Sequence, residues 1–312
     1  MNFQKLQDKL GKNRVKKDVN LSPYLTLRTD TTAEYFFEAN SRDDLINAVK
    51  TSYEAGIPLF LLGGGSNLAV VSKKIHGLVV RNMYRKKEVS VAKNGFVYLT
   101  VSSGYPVTQL VTELAKIGIS GLELHLGLPG TVGGAVYMNS KWTHPTNYFG
   151  DHLSYAFLAH PKGKIRKVEH SYFRFAYDYS SLQKSGEILL EAIFKLEKKD
   201  PKKVEETAKE SLAYRRETQP HGVFCSGCFF KNITPDDQER LNIKTSSAGY
   251  LIDRAGLKGK SVGNFFVSPR HANFIINKGK GNSKDLLALL RLIKQRVKKQ
   301  FGVELEEEVR II

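Results

Sequence analysis

The chain has 312 residues, a formal net charge of +17, 41% apolar residues and 25% charged residues. This composition is typical of a globular protein with a substantial core, and the length favours two lobes or domains. No apolar run approaches the roughly 18 residues that a bilayer-spanning helix needs, which excludes a membrane protein on the sequence alone. The basic N-terminus lacks the apolar core of a secretory signal, and two cysteines do not make a disulfide framework. We therefore expect a cytoplasmic protein with no membrane partner.

The basic residues are spread thinly in short groups such as Lys73–Lys74 and Lys298–Lys299. Such a charge can attract nucleic acid, or small ligands that carry phosphates and carboxylates. No nucleic-acid motif and no regular aromatic spacing accompanies the basic groups. We interpret the charge as a solvated lysine-rich surface and expect no nucleic-acid partner.

Helices and strands are predicted to alternate in the N-terminal part of the chain. Residues 41–55 match a helix with Ser41 as N-cap, because apolar side chains recur on one stripe from Leu45 to Tyr53. The next expected elements are a buried strand at 58–62, strands at 77–81 and 97–101, a helix after Pro106, and short strands up to about Leu196.

Two glycine-rich tracts are candidate ligand-binding loops. The first is Gly63, Gly64, Gly65, Ser66 and Asn67, directly after the strand at 58–62, and the second is Pro129, Gly130, Thr131, Gly133 and Gly134. Neither tract has the spacing of a Walker loop or a dinucleotide fingerprint. Glycines nevertheless let backbone N–H groups approach a ligand and form an anion-binding concavity. Two such loops suit an extended diphosphate such as a dinucleotide, and a tight turn is the alternative for each.

A boundary is predicted at residues 197–203, a charged segment broken by Pro201. Beyond it we expect a final helix from about Ser283 and a closing strand from Val303 to Ile312. The sequence therefore predicts a mixed α+β protein. Its expected divisions are a large module at 18–197, a smaller domain at 204–302 and the closing strand at 303–312.

Cys225 and Cys228 form a C-x-x-C pair within GVFCSGCFFKN. This spacing is compatible with metal ligation, disulfide exchange or proton donation by a thiol. Zinc needs two further ligands, and no histidine pair has suitable spacing, so we expect no metal. A thioredoxin-like pair should open a helix, whereas residues 228–232 predict a strand.

Six motifs occur in order from about Leu25 to the C-terminus: GGGSNLAVV, GLPGTVGGAVYMN, SGCFFKN, AGYLIDRAGLKGKSVG, VSPRHANFIIN and LEEEVR. Together they resemble the UDP-N-acetylenolpyruvoylglucosamine reductase (MurB) family, flavoenzymes of peptidoglycan precursor synthesis. The resemblance implies a bilobed FAD-binding module of the vanillyl-alcohol-oxidase (PCMH) type, followed by a smaller substrate domain. It also implies reduction of UDP-N-acetylglucosamine enolpyruvate to UDP-N-acetylmuramate, with FAD as cofactor, NADPH as hydride donor and a UDP-sugar as the small-molecule partner.

The resemblance also implies roles for individual residues. Cys228 matches the family's proton donor, usually a serine and in some members a cysteine, and Glu308 matches the second catalytic residue. By periodicity alone Glu308 would be a solvated carboxylate and Cys228 a small buried thiol. The glycine tracts match the FAD-binding segments, and the positions that match substrate-binding or adjoining motifs are Lys231, Asn232, Ser268, His271 and Asn273.

The chain departs from the family pattern at an arginine that helps to hold the charged intermediate. Asp178 stands at its place, and a carboxylate cannot stabilise an enolate. Arg174, predicted to share a strand face with position 178, and Arg310, close to Glu308, are candidate replacements. The alternative is a flavoprotein of the same fold that has lost this reaction. Two further departures, at 28–32 and in the SKWTHPTNYFGDHL loop after Asn139, bear on the flavin contacts.

Overall fold

The computed structural model of the chain describes residues 2–91 and 96–312. It divides into two compact units, and each unit combines segments that are separate in the sequence. Unit 1 consists of Met1–Val19, Ala33–Gly64 and His76–Arg215, and unit 2 consists of Asn20–Thr32, Gly65–Ile75 and Arg216–Ile312. The limits 18–197, 204–302 and 303–312 are contiguous, whereas unit 2 also includes two segments from the N-terminal part of the chain. These domain limits therefore stay a prediction.

The α-helices within the described residues are α1 (Asn2–Leu10), α2 (Arg42–Ala55), α3 (Val107–Lys116), α4 (Val132–Met138), α5 (Leu182–Ser185), α6 (Pro201–Thr218), α7 (Pro235–Arg240), α8 (Ala248–Arg254) and α9 (Ser283–Phe301). The strands are β1 (Val15–Asn20), β2 (Thr32–Ala39), β3 (Leu59–Leu62), β4 (Leu68–Ala69), β5 (Lys74–Asn82), β6 (Lys87–Val91), β7 (Phe96–Ser102), β8 (Ile119–Ser120), β9 (Lys141–Thr143), β10 (Thr146–Tyr148), β11 (Leu153–Ala159), β12 (Ile165–Glu169), β13 (Ile188–Lys198), β14 (Ser261–Val262), β15 (Phe265–Val267), β16 (Ile275–Asn277) and β17 (Arg310–Ile311). Short 3₁₀ helices lie at Ser22–Tyr24, Glu123–His125 and His170–Phe173.

The first sheet has the strand order β1-β2-β5-β3. β3 runs parallel to β5, with Leu59 opposite Leu78 and Leu62 opposite Arg81. Helix α2 packs on this sheet, and Phe37, Leu45 and Leu78 are fully buried in its apolar core. The helix begins as predicted, because the Ser41 hydroxyl accepts a hydrogen bond of 3.1 Å from the backbone N–H of Asp44.

The second sheet of unit 1 has the order β12-β11-β13-β7-β6, and β8 also pairs with β13. Strand β13 lies between two antiparallel neighbours, which explains why most of its side chains are buried. Helices α3 and α4 pack on this sheet through Leu110, Leu114, Val132 and Val136, which belong to a separate apolar core. Among the described residues, unit 1 thus has two large sheets associated with separate apolar cores, together with the two-stranded sheet β9–β10, an arrangement that fits a bilobed module.

Unit 2 has one core, formed by helices α8 and α9 and the sheet β14-β15-β16. Helix α9 begins after Asn282, whose side chain accepts the Asp285 N–H, and ends at Gly302 with a left-handed φ of 68°. The predicted helix from Ser283 is therefore confirmed. The parallel pair β4–β17 places Leu68 opposite Arg310.

The structure corrects three sequence-based assignments. The predicted strand from Val303 to Ile312 is regular only at Arg310–Ile311, although Val303, Leu305 and Val309 are buried as its alternation indicated. Residues 228–232 form single bridges rather than a continuous strand. The predicted boundary segment 197–203 lies almost wholly in regular secondary structure, because strand β13 ends at Lys198 and helix α6 begins at Pro201.

In the part of the chain that the structure describes, no helix combines the length and the apolar character needed to cross a membrane.

Candidate active site

The two glycine tracts lie against each other within unit 1. A Cβ atom on Gly64 would be 2.5 Å from the Cα of Gly130, and one on Gly63 would be 2.7 Å from Oγ1 of Thr131. The contact at Gly64 is with backbone, so this position needs glycine if the tracts are to touch, whereas at Gly63 the Thr131 side chain would have to move. The fold thus brings residues of the two tracts together at the end of β3, and their shared contact with one ligand stays a prediction.

The second tract is partly helical rather than a loop, which corrects the sequence-based assignment of Gly133 and Gly134. The Thr131 side chain caps α4, and the carbonyls of Tyr105 and Ser103 accept the N–H groups of Val132 and Gly133 at 2.9 and 2.8 Å. These carbonyls hold the tract in place. The sequence did not mark Ser103 or Tyr105, because a backbone acceptor leaves no motif.

Gly134 has room that its neighbours lack. A Cβ on Gly133 would meet Ser103 at 3.0 Å, whereas a Cβ on Gly134 would meet only Oγ1 of Thr131, at 3.8 Å. Gly64, Pro129 and Gly134 are all exposed. The tracts therefore present bare backbone to solvent on one side, a surface that fits the close approach of an extended phosphate ligand such as FAD.

Gly65 and Asn67 have structural roles in unit 2. Gly65 has a left-handed φ of 62°, and a Cβ there would lie 2.1 Å from the carbonyl oxygen of Tyr24. Asn67 donates from Nδ2 to the Glu308 carbonyl at 3.3 Å and accepts the Arg310 N–H at 3.1 Å. The close contact with Tyr24 accounts for glycine at position 65, and the side-chain hydrogen bond to Glu308 accounts for asparagine at position 67. Contact of Gly65, Ser66 and Asn67 with a cofactor stays a prediction.

Cys228 and Glu308 lie on neighbouring segments of unit 2. Cys228 forms an antiparallel bridge with Phe274, and Phe230 forms one with Glu307. The Glu308 N–H donates to the Phe229 carbonyl at 2.9 Å. The two residues predicted to be catalytic are thus brought together by backbone hydrogen bonds, and both side chains are half-buried.

The C-x-x-C pair does not open a helix, since the next helix, α7, begins at Pro235. Cys225 and Cys228 are both present as thiols. Burial raises the pKa of the Cys225 thiol, and a hydrogen bond from the Gly227 backbone only partly opposes this. Ser226, between them, is buried and donates to the Leu68 carbonyl at 2.8 Å. The local structure therefore lacks the helix N-terminus and the lowered thiol pKa of a thioredoxin-like site.

Ser268 and His271 belong to one tight turn. The Ser268 hydroxyl is buried and accepts the N–H groups of Arg270 and His271 at 3.2 and 3.3 Å. Burial lowers the pKa of His271, so the ring is neutral at pH 7, and its Nδ1 accepts the Asn273 N–H at 3.3 Å. Nε2 of His271 is then the protonated nitrogen and the one left to meet a ligand.

The Asn273 side chain faces the protein interior, with 3% of its surface exposed. Its Oδ1 accepts the Phe230 N–H at 2.9 Å, and its Nδ2 donates to the Phe230 carbonyl at 2.7 Å. The half-buried Lys231 lies 3.3 Å from a carboxylate oxygen of Glu306, and Asn232 is also half-buried. Of the residues predicted to bind substrate, Lys231, Asn232 and His271 are accessible, whereas Ser268 and Asn273 are buried.

Position 178 does not lie on a strand. Asp178 is 8% exposed with φ of 51°, and Arg174 is exposed with φ of 45°, so the predicted shared strand face is wrong. The Lys141 ammonium lies 5.4 Å from the ring centroid of Tyr177, the residue before Asp178, and 5.7 Å from that of Tyr148. Lys141 is a cation in this region that the sequence analysis missed, because it lies in the unusual loop after Asn139.

Comparison with known proteins places the chain in a family. A family model described as "UDP-N-acetylenolpyruvoylglucosamine reductase, C-terminal domain" matches residues 219–312, and one described as "FAD binding domain" matches residues 33–169. UDP-N-acetylenolpyruvoylglucosamine reductase from Halalkalibacterium halodurans is 34% identical over 96% of this chain and 94% of its own length. The Bacillus subtilis enzyme of that name is 31% identical over 94% and 92%.

Solved structures confirm the predicted fold class. The crystal structure of the Thermus caldophilus enzyme matches with a TM-score of 0.77 and 31% identity over 96% of this chain and 98% of that one. p-Cresol methylhydroxylase matches with a TM-score of 0.53 and 12% identity over 96% and 87%, which shows the fold alone. With its FAD-binding domain, its C-terminal domain and relatives along nearly its whole length, the chain belongs to the UDP-N-acetylenolpyruvoylglucosamine reductase family.

Proposed function

We propose that this protein uses NADPH to reduce UDP-N-acetylglucosamine enolpyruvate to UDP-N-acetylmuramate, in the cytoplasm, as a step of peptidoglycan precursor synthesis. The observation that carries the proposal is the proximity of Cys228 and Glu308 on hydrogen-bonded segments of unit 2. This pairing occurs in a chain whose family relatives match it along nearly their full length.

FAD, when bound, carries a hydride from NADPH to the substrate. In unit 1 the residues that would hold it are Gly63, Gly64, Pro129, Gly130, Thr131, Gly133 and Gly134. The exposed backbone at Gly64 and Gly134 supports this role, because no side chain at either position prevents the close approach of a diphosphate.

Cys228 is the proton donor of this proposal. Hydride addition at C3 of the enolpyruvyl group leaves negative charge on the substrate, and C2 then needs a proton. The S–H bond of Cys228 breaks as the new C–H bond at C2 forms, and the resulting thiolate regains a proton from water. A thiol is intrinsically a stronger acid than a serine hydroxyl. Glu308, on the neighbouring segment, supports this transfer.

The accessible residues around this pair bind the substrate in our proposal. Lys231 and His271 offer an ammonium and an Nε2–H, and Asn232 adds an amide. The Lys231–Glu306 contact is solvent-exposed and weak, so the ammonium can leave it for a diphosphate. The side chain of Ser268 instead holds its own turn, and that of Asn273 holds the backbone of Phe230.

The alternative is a flavoprotein of the same fold that has lost this reaction, motivated by Asp178. Lys141, which lies near the rings of Tyr177 and Tyr148, is a candidate cation for the role of the family arginine. Oxidation of NADPH that depends on the enolpyruvyl substrate separates the two.

Replacement of Cys228 tests the proposed chemistry. In the FAD-bound enzyme, Cys228→Ala should lower kcat by about 10²–10⁴-fold, because the step loses its acid, whereas Cys228→Ser should keep much of the activity. Cys225→Ser is the matched control, since it removes the other thiol of the pair. Full activity in Cys228→Ala would refute the assignment.

A further inference from the structure

We infer that Asn273 is a positioning residue of this reaction, and that its side-chain amide sets the place of the Cys228 thiol. The inference rests on the proposed role of Cys228 as proton donor. It gives Asn273 a role different from substrate binding, because its amide is turned away from solvent.

The Asn273 amide acts on Phe230 as a neighbouring strand would. Its oxygen accepts the Phe230 N–H and its nitrogen donates to the Phe230 carbonyl, so both backbone groups of one residue are satisfied by one side chain. In addition the Phe229 N–H donates to the Asn273 backbone carbonyl at 2.7 Å. Three hydrogen bonds therefore join Asn273 to the two residues that follow Cys228.

The segment around Cys228 needs this support because it lacks a regular strand on either side. Cys228 and Phe230 make single bridges with Phe274 and Glu307, and Gly227 has a left-handed φ of 81°. Before Cys228 the chain is held by the Ser226 hydroxyl, which donates to the Leu68 carbonyl, and after it the hydrogen bonds to Phe229 and Phe230 set the position of the thiol. On one side of residues 228–230, Asn273 makes three hydrogen bonds with Phe229 and Phe230. On the other side, the Glu308 N–H donates to the Phe229 carbonyl.

Asn273→Asp is the sharpest test variant, because it keeps the size and one oxygen of the side chain. Nδ2 is replaced by an oxygen that faces the Phe230 carbonyl oxygen, so a donated hydrogen bond becomes a repulsion. The segment should then move relative to its neighbours. A displacement of about 1 Å in a catalytic group can cost about 100-fold in rate.

Asn277 provides a matched control in the same unit. It is 2% exposed, its Nδ2 donates to the Leu27 carbonyl at 2.9 Å, and its Oδ1 accepts the N–H of Gly279 at 2.9 Å. Asn277→Asp therefore causes the same chemical change in an equally buried asparagine. Its side-chain bonds do not reach residues 228–230.

The experiment separates the two halves of turnover in the FAD-bound enzyme. Stopped-flow absorbance measures reduction of the flavin by NADPH, and then its reoxidation by UDP-N-acetylglucosamine enolpyruvate. Asn273→Asp should slow reoxidation at least about tenfold, because hydride transfer to C3 goes to completion only when C2 receives its proton. It should leave reduction by NADPH within about twofold. Asn277→Asp, whatever it does to the unfolding temperature, should slow neither half selectively. If Asn273→Asp does not fold, Asn273→Ser is read in the same way.

A double-mutant cycle with Cys228→Ala asks whether Asn273 acts through the thiol. In the Cys228→Ala background, Asn273→Asp should have little further effect on reoxidation. The inference is overturned if the effects multiply, if both half-reactions slow equally, or if Asn277→Asp gives the same selective loss.

A second readout does not depend on catalysis. In the Cys225→Ser background, the rate at which iodoacetamide alkylates Cys228 is measured against pH. Asn273→Asp should shift this profile and Asn277→Asp should not, because only the former moves the thiol. If Cys228→Ala is fully active but Asn273→Asp still shifts the alkylation profile, the proposed role of Cys228 as proton donor fails and the positioning of its thiol by Asn273 stands. If Asn273→Asp leaves the alkylation profile unshifted, the positioning is refuted.

Discussion

The backbone N–H of Glu308 donates a hydrogen bond of 2.9 Å to the carbonyl oxygen of Phe229, the residue that follows Cys228. This bond joins two motifs that are far apart in the sequence. Because it involves only backbone atoms, it survives replacement of either side chain. The carboxylate of Glu308 can therefore be changed without breaking the contact that keeps the two segments together.

Glu308→Gln should lower kcat by at least about 100-fold, because an amide cannot take up or relay a proton as a carboxylate does. The measurement is steady-state oxidation of NADPH with saturating enolpyruvyl substrate. Glu304→Gln is the control, since Glu304 is an exposed carboxylate of the same segment that pairs with Lys298. Equal activity in both variants would remove Glu308 from the mechanism.

Gly64→Ala and Gly134→Ala should behave differently, although both add one methyl group. The Cβ of the first meets the Gly130 backbone at 2.5 Å, so we expect a loss of stability of about 1–3 kcal/mol together with weaker FAD binding. The second methyl enters open space on helix α4 and should stabilise the FAD-free protein by about 0.5–1 kcal/mol.

The same Gly134→Ala variant should nevertheless bind FAD less tightly, because the methyl group covers backbone that the cofactor would approach. Thermal unfolding of the FAD-free protein and titration of flavin fluorescence measure the two effects separately. Normal FAD affinity in Gly134→Ala would place the cofactor away from this residue.

Cys225 should react slowly with iodoacetamide at pH 7. Burial raises the pKa of its thiol, so the reactive thiolate is scarce until the pH is well above neutral. Mass spectrometry of the Cys228→Ser variant, alkylated between pH 7 and pH 10, follows Cys225 alone. Rapid labelling at pH 7 would revive the thiol–disulfide alternative, and reduction of insulin by the wild-type protein would then be the next test.

His125 should make unit 1 less stable as the pH falls. Burial lowers the pKa of His125 to about 4, its Nε2 lies 2.9 Å from Oδ1 of Asn147, and its Nδ1 has no hydrogen-bond partner among the described residues. Since the folded pKa lies below the unfolded one, the unfolded chain binds the proton first. The free energy of unfolding should therefore fall by about 3 kcal/mol between about pH 6.5 and pH 4 through this residue.

The measurement compares wild type with His125→Gln in urea at several pH values. Fluorescence of Trp142, the chain's single tryptophan, follows unit 1. His125→Gln should flatten the pH dependence in this window. The exposed His221 is the control, and its replacement by glutamine should leave the dependence as it is. An unchanged slope in His125→Gln would contradict the prediction.

Much of the fold could be predicted because the relevant signals are local. Ser41 lies three residues before the N–H that its side chain caps, and the stripe of helix α9 is visible in Leu286, Leu290 and Ile293, all buried. The closing strand was overestimated for the same reason. Alternation of apolar and polar residues over 303–311 indicates which side chains are buried, whereas a regular strand also needs continuous backbone pairing. Glu307 makes a single bridge with Phe230, and regular pairing is found at Arg310–Ile311.

By itself the sequence determined the family and marked the two glycine tracts, Cys228 and Glu308 as candidate site residues, because six motifs occur together in a fixed order. Only the tertiary structure decided which of the matching residues are accessible and which are buried. Asn273 and Phe230 are 43 residues apart, and a single amide satisfies both backbone groups of that phenylalanine. A hydrogen bond between distant residues depends on how the chain folds back on itself, and no local pattern of residue types records it.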